Sequence, residues 1–252
     1  PEQPSTADHI VKHSPKQPCP GETYLHYRNA AAVMPVKKIH FVSGIILAIF
    51  IHAHLFNHLA SIAGVNRHLE IMNRLRTFYR HPLVETVLLA AICFQIVTGL
   101  KLAGTKRKMA VTFFEKLQVW TGLYLSFFFI IHLSAVLIGR GLLHLDTNFY
   151  FGAAGLNSFP ANLFFIPYYA LAILSFYGHI AAVHQKKVKR SCFYLSPRHQ
   201  SFLLLAFGFC LAVLILYGFT NGFKGVKIPA DYEVLTGKHL FSAAFGHWNA
   251  SG

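Results

Sequence analysis

The sequence predicts an all-α polytopic membrane protein, a bundle of five transmembrane helices. Its 252 residues are 54% hydrophobic and only 13% charged, with a mean hydropathy of +0.44, as is typical of membrane proteins. Five apolar stretches are long enough for the roughly 20 helical residues that cross a hydrocarbon core. They cover approximately 39–63, 83–102, 117–138, 162–185 and 202–219.

The five stretches define a membrane domain at 37–222, between an N-terminal extension at 1–36 and a C-terminal tail at 223–252. The extension is rich in proline, serine and histidine and lacks the apolar core of a secretory signal, so we expect it to be irregular. Of the connecting segments, 64–82 has an apolar rhythm that predicts a short interfacial helix. The aromatic and glycine-rich segment 141–160 is expected to be ordered and to cover one end of the bundle.

The net charge of +14 does not indicate nucleic-acid binding, because lysine and arginine cluster between the apolar stretches, as topology determinants do. Twelve of these basic residues flank the stretches on the side of the N-terminus, and eight lie on the opposite side. This bias predicts that the N-terminus faces inside, in a bacterial or mitochondrial inner membrane.

Polar residues recur at matched depths inside the apolar stretches. His54 and His132 each lie 15 residues beyond the start of their stretches, about 22 Å into the membrane at the rise of an α-helix. Gln95 and His179 lie six and seven residues before a basic end, about 10 Å from the opposite edge. Polar groups at such depths mark functional sites, and imidazoles that face each other across a helix bundle hold b-type haem iron.

Other histidines among the sixteen of the chain have weaker signals. His58 lies one turn above His54 on the same helix face, so either it is the ligand itself or it binds a haem propionate. His52 points elsewhere, and His40 and His184 lie near the membrane interfaces, where we expect solvated polar ends. The four cysteines form neither CxxC nor CxxCH, which argues against covalent haem attachment and iron–sulfur clusters.

Four segments resemble the five-helix cytochrome b membrane subunit of succinate:quinone oxidoreductases, a group that includes quinol:fumarate reductases. They are IFIHAHLFNH around His54, ICFQIVTGLKL around Gln95, WTGLYLSFFFIIHLS around His132 and FYGHIAAVH around His179. The resemblance covers about 37–189. It implies that His54 and His132 hold one haem b, and that His179 holds a second with a histidine whose position Gln95 occupies. Because an amide is a poor iron ligand, that haem is either absent or held by another residue.

The resemblance implies a haem b-containing anchor that passes electrons between membrane quinone and peripheral flavoprotein and iron–sulfur subunits of a succinate or fumarate dehydrogenase. The chain has no flavin or dinucleotide fingerprint and no paired catalytic carboxylates, so we expect a non-catalytic or quinone-reactive subunit in contact with membrane lipid. Candidate quinone-binding residues are Arg74, Arg76 and Glu70, or Tyr124 and Ser134.

Two other functions stay open. A structural or accessory subunit of a respiratory complex would keep the fold and lack one or both haems, and Gln95 is the strongest argument for it. A transporter would use His52, His54 and His58 for metal ions or protons. Neither inverted repeats nor paired intramembrane carboxylates are visible in the sequence, which argues against transport.

Overall fold

Every element that the structure describes is helical, as predicted. The computed structural model describes residues 20–191 and 194–236, with side chains from residue 35 onward. Short 3₁₀ helices lie at Ala60–Ala63 and Ala230–Thr236. The α-helices are α1 (Pro20–Leu59), α2 (Val65–Tyr79), α3 (Pro82–Lys106), α4 (Phe113–Gly141), α5 (Phe149–Leu156), α6 (Asn162–Lys187) and α7 (Pro197–Phe219).

Five of these helices are long and apolar enough to cross a membrane, so the chain is an integral membrane protein with the predicted five-helix bundle. The spans are Pro35–Ala63 in α1 with the following 3₁₀ turn, and the whole of α3, α4, α6 and α7. Only 11% to 39% of the most apolar part of each span is buried in the protein. Large apolar side chains therefore face outward, where lipid would contact them; examples are Ile49, Phe56, Trp120, Leu163 and Phe209.

Helix α1 begins earlier than the sequence predicted. The extension that was expected to be irregular is helical from Pro20 onward, whereas residues 1–19 lie outside the described residues. Proline is well tolerated in the first turn of a helix, and the alanines at 30–32 are strong helix formers. Lys37 and Lys38 lie inside α1 and do not end it; long lysine side chains can keep their charge in water from within a helix end.

The five spanning helices form a closed ring. They contact one another in the order α1, α3, α4, α6 and α7, and α7 returns to contact α1. Within the described residues, no Cα atom of α1 lies within 8 Å of a Cα atom of α4 or α6. Helix α1 therefore faces α4 and α6 across the interior of the ring.

One end of the ring is covered, as the sequence predicted for the segment 141–160, and the helix predicted within 64–82 is α2. We call it the capped end; the 3₁₀ turn at Ala60–Ala63, α2, α5 and the 3₁₀ helix at Ala230–Thr236 pack there. Phe149 and Ala153 of α5 are almost completely buried. We call the opposite end, with the connections 107–112 and 188–196, the basic end.

Polar contacts hold the cap together. Arg76 of α2 forms an ion pair with Asp146 (2.8 Å) and donates a hydrogen bond to the carbonyl of Thr147 (2.8 Å). The Tyr232 hydroxyl donates to the carbonyl of Asp146 (2.9 Å). These contacts join α2, the connection before α5 and the chain after α7, so that the cap is one unit.

Gly218 of α7 allows the cap to approach the ring. A Cβ atom at this position would lie 2.2 Å from the Ser61 hydroxyl and 2.8 Å from the backbone nitrogen of Ile62. A side-chain rotation cannot relieve a contact with backbone, so only glycine fits between α7 and the 3₁₀ turn without a shift.

We expect Gly218→Ala to lower the free energy of unfolding by about 1–3 kcal/mol, the usual cost of an overpacked contact. The matched control is Gly104→Ala, because a Cβ on Gly104 of α3 would meet nothing within 4 Å and alanine favours the helix. Thermal unfolding in mild detergent measures both variants. Equal melting temperatures for the two variants would show that the approach at Gly218 does not constrain the cap.

Candidate functional site

His54 of α1 and His132 of α4 face each other inside the ring near the capped end. Their ring centroids are 6.3 Å apart and their planes are inclined by 67°. Both line a cavity of about 290 Å³. Phe50 stacks on His54 (5.7 Å between centroids, 20°) and Phe128 stacks on His132 (5.0 Å, 12°). The predicted common depth of the two histidines is therefore present, and an aromatic neighbour orients each ring.

His58 does not take the place of His54 in this pair. Its Nε2 lies 2.9 Å from the Nε2 of His54, and its Nδ1 lies 3.2 Å from the Nε2 of His68. The Asn57 amide nitrogen also lies 3.2 Å from that Nε2. His58 thus links the ring of His54 to the polar interior of the cap, while His54 is the ring that faces His132.

His179 of α6 has a partner that the sequence did not predict. His40 of α1 faces it near the basic end, with ring centroids 6.4 Å apart and planes inclined by 70°. Both line a second cavity, of about 360 Å³. His40 was expected to be a solvated polar end near the membrane interface; it is half-buried instead, and its Nδ1 lies 3.0 Å from the Thr98 hydroxyl of α3. An earlier helix start, read from the residues before Lys37, was the signal that could have found it.

Gln95 lies at the predicted depth but is not the residue that faces His179. It lines the same cavity, and its side-chain oxygen accepts a hydrogen bond from the Ser43 hydroxyl (2.9 Å). This contact joins α3 to α1. Gln95 is therefore a polar packing residue in the wall of the cavity.

The remaining candidates lie outside both cavities. Glu70 forms ion pairs with Arg67 and Arg74 on the surface of α2. Arg76 belongs to the cap, and the Tyr124 hydroxyl donates to the carbonyl of Tyr168 (2.9 Å). None of the five residues proposed for quinone lines either cavity, and neither does His52. No further pattern in the sequence distinguishes among these residues.

The two histidine pairs have the spacing of bis-imidazole ligation. A metal about 2.0 Å from each coordinating nitrogen places two imidazole centroids about 6 Å apart, because that nitrogen lies about 1 Å from its ring centre. The observed distances are 6.3 and 6.4 Å. Basic side chains that suit haem propionates also line the cavities: Arg80 and Arg140 at the capped end and Lys106 at the basic end. The residues present therefore fit a haem in either cavity.

No protein-family model, no curated protein sequence and no solved structure matches the chain. The fold and the site together define a class: an integral membrane protein whose ring of five helices carries two facing pairs of histidines in its interior.

His68 of the cap is 1% exposed. Burial, and secondarily the nearby Arg76 guanidinium, lower the pKa of its imidazole from 6.5 to about 4. The folded protein therefore disfavours the protonated ring. The stability that the neutral ring contributes is fully present above pH 6.5, and it is lost as the pH falls from 6.5 towards 4.

We expect the melting temperature of the protein in detergent to fall between pH 7 and pH 4.5, and His68→Gln to remove several degrees of that fall. Glutamine keeps hydrogen-bonding capacity and does not titrate in this range. His81→Gln, at an exposed position of the same end, is the control and should leave the fall unchanged. An identical pH response of the wild type and His68→Gln would count against a neutral buried His68.

Proposed function

We propose that this chain is a haem b-containing membrane subunit that passes electrons between a peripheral dehydrogenase and membrane quinone. One observation carries the proposal: His54 and His132 face each other at 6.3 Å, across a cavity between helices whose described backbones do not touch. A haem bound by these two imidazoles would supply reversible one-electron chemistry.

The surrounding residues supply orientation and a dry environment for such a group. Phe50 and Phe128 stack on the two imidazoles and restrict their rotation. The wall contributes apolar side chains, among them Leu88, Leu89, Ile92 and Val136, which exclude water. An apolar shell of this kind limits the access of water, and its low dielectric constant changes the reduction potential of a bound metal.

Charged residues lie where the capped-end cavity approaches the membrane surface. Arg140 of α4 is paired with Glu85 of α3, and Arg80 donates a hydrogen bond to the Thr147 hydroxyl (3.0 Å). Both arginines line the cavity. Guanidinium groups at this position would bind the carboxylates of a haem.

The partners in this proposal follow from the resemblance to succinate:quinone oxidoreductases, which implies flavoprotein and iron–sulfur subunits of the succinate or fumarate type. The connections at the basic end have runs of positive charge at 106–108 and 186–190. Such runs suit an acidic protein surface or anionic lipid. By the distribution of basic residues we place this end inside, in a bacterial or mitochondrial inner membrane.

A structural subunit without haem is the alternative, and Gln95 favours it. The residue stands where the family has a haem ligand, and its amide is bonded to Ser43 as a packing residue would be. The two functions differ in one property, the presence of a redox-active haem in the purified protein.

We expect the purified full chain to give a b-type band in the dithionite-reduced minus oxidised spectrum, and His132→Ala to lose the component bound at the capped end. The control is His52→Ala on α1, which is exposed, lines neither cavity and should keep the spectrum. Both variants should retain helical circular dichroism. An unchanged spectrum in His132→Ala would remove His132 from the ligand set.

We also expect a reduced quinol analogue, added without dithionite, to reduce the b-type band of the wild-type protein. His132→Ala should show a smaller reduced fraction than His52→Ala at the same haem concentration. A folded protein with no haem at all would instead support the structural subunit.

A further inference from the structure

We propose that the basic-end cavity binds a second b-type haem, held by His40 of α1 and His179 of α6. The inference rests on the proposed function because it takes haem b as the cofactor. It does not depend on His54 and His132 being the ligands at the capped end. It assigns to α1 a ligand that the family pattern places on the next spanning helix, at the position of Gln95.

The geometry of the His40–His179 pair matches that of the other pair. The ring centroids are 6.4 Å apart, against 6.3 Å for His54 and His132, and the cavities have similar volumes, about 360 Å³ here and about 290 Å³ at the capped end. As at the capped end, the two ligands belong to helices whose Cα atoms lie more than 8 Å apart throughout the described residues. The space between them is therefore open to a bound group.

Hydrogen bonds fix the tautomer of both rings. The Thr98 hydroxyl donates to the carbonyl of Phe94, so its oxygen accepts a hydrogen bond from the Nδ1–H of His40, 3.0 Å away. The Gln118 carbonyl can only accept, so the Nδ1 of His179, 3.2 Å away, carries the hydrogen. Each Nε2 is then left with a free lone pair. A ring held through Nδ1–H by an oxygen acceptor is the usual arrangement of a metal-bound histidine.

Glycines of the neighbouring helices make room for the two rings. A Cβ atom on Gly99 of α3 would lie 3.4 Å from Cε1 of His40, and one on Gly122 of α4 would lie 3.3 Å from Cε1 of His179. The distance at Gly122 is closer than an ordinary contact between side chains, and the distance at Gly99 is at the lower limit of one. The helices beside the pair are thus shaped around the imidazoles, as expected where rings are held in one orientation.

Gln95 is excluded as the ligand by its own contacts. Its oxygen accepts the hydrogen bond from Ser43, and its nitrogen lies 2.9 Å from the place where a Cβ on Gly44 would be. The side chain is held against α1 and fills the space above Gly44. Its amide closes one wall of the cavity and leaves the space between the imidazoles free.

The charge in the cavity suits an anionic group. Lys106 of α3 lines the wall at the basic end, and within the described residues no carboxylate forms an ion pair with it. A lysine at a membrane boundary directs its ammonium group to the surface. The propionates of a haem would bind there, whereas an uncharged quinone has no group that pairs with an ammonium ion.

The test measures haem per chain and the number of redox components in the purified full-length protein. We expect two haems in the wild type, and one in His40→Ala, with one component lost from the potentiometric titration. His40→Gln keeps hydrogen-bonding capacity towards Thr98 and should also bind one haem. The matched control is His52→Ala on the same helix, which lines neither cavity and should keep two. Circular dichroism and gel filtration verify that each variant is folded.

The outcomes separate this inference from the proposed function. A single wild-type haem that His132→Ala loses and His40→Ala keeps would overturn the inference and leave the proposed function standing. A single haem that His40→Ala loses and His132→Ala keeps would support the inference and contradict the ligands assigned at the capped end. No haem in the folded wild type would overturn both. Quinone extracted from the protein in place of a second haem would overturn the inference alone.

Discussion

The hydrocarbon core of a membrane offers no hydrogen-bond partners, and this constraint organises the interior of the protein. Every polar side chain that a spanning helix carries inward must find its partner on another helix of the ring or on its own backbone. The interior satisfies most of these groups by contacts between helices. Three such contacts lie near the basic end: Ser43–Gln95, His40–Thr98 and His179–Gln118. They fix the rotation of α1, α3, α4 and α6 about their axes, and thereby decide which side chains face the cavities.

Helix α1 is common to both sites. His40 and His54 are 14 residues apart, about four turns of helix and roughly 21 Å along its axis, so they lie on nearly the same face. Between them, one apolar layer contributes to the walls of both cavities: Leu47, Ile51, Leu125, Phe129 and Phe176. The two sites are therefore stacked in one column and separated by a single layer of side chains. A rotation of α1 would move a ligand of each pair at once, which couples the geometry of the two sites.

The sequence was sufficient for the five spans, because length and hydropathy alone decide whether a helix can cross the membrane. It was also sufficient for depth, since a constant rise per residue puts His54 level with His132 and Gln95 level with His179. The sequence was insufficient to predict in which direction around the helix axis a side chain points. Two residues at one depth, His40 and Gln95, differ only in the side of the bundle that they face, and contacts between helices set that difference. The start of α1 was misplaced for a local reason, because Lys37 and Lys38 resemble a membrane boundary and lie within the helix.

Hydrogen bonding also reverses the order in which the family resemblance ranks the two sites. At the capped end the Nε2 of His54 already has a partner, the Nε2 of His58 at 2.9 Å, so that a metal on His54 must replace this contact. At the basic end the hydrogen bonds of His40 and His179 use Nδ1, so ligation through Nε2 replaces none. The free energy of metal binding at His54 is reduced by the free energy of the hydrogen bond that the metal replaces. The basic-end pair is thus better prepared to bind a metal than the capped-end pair, although His40, which completes it, was not among the ligands predicted from the sequence.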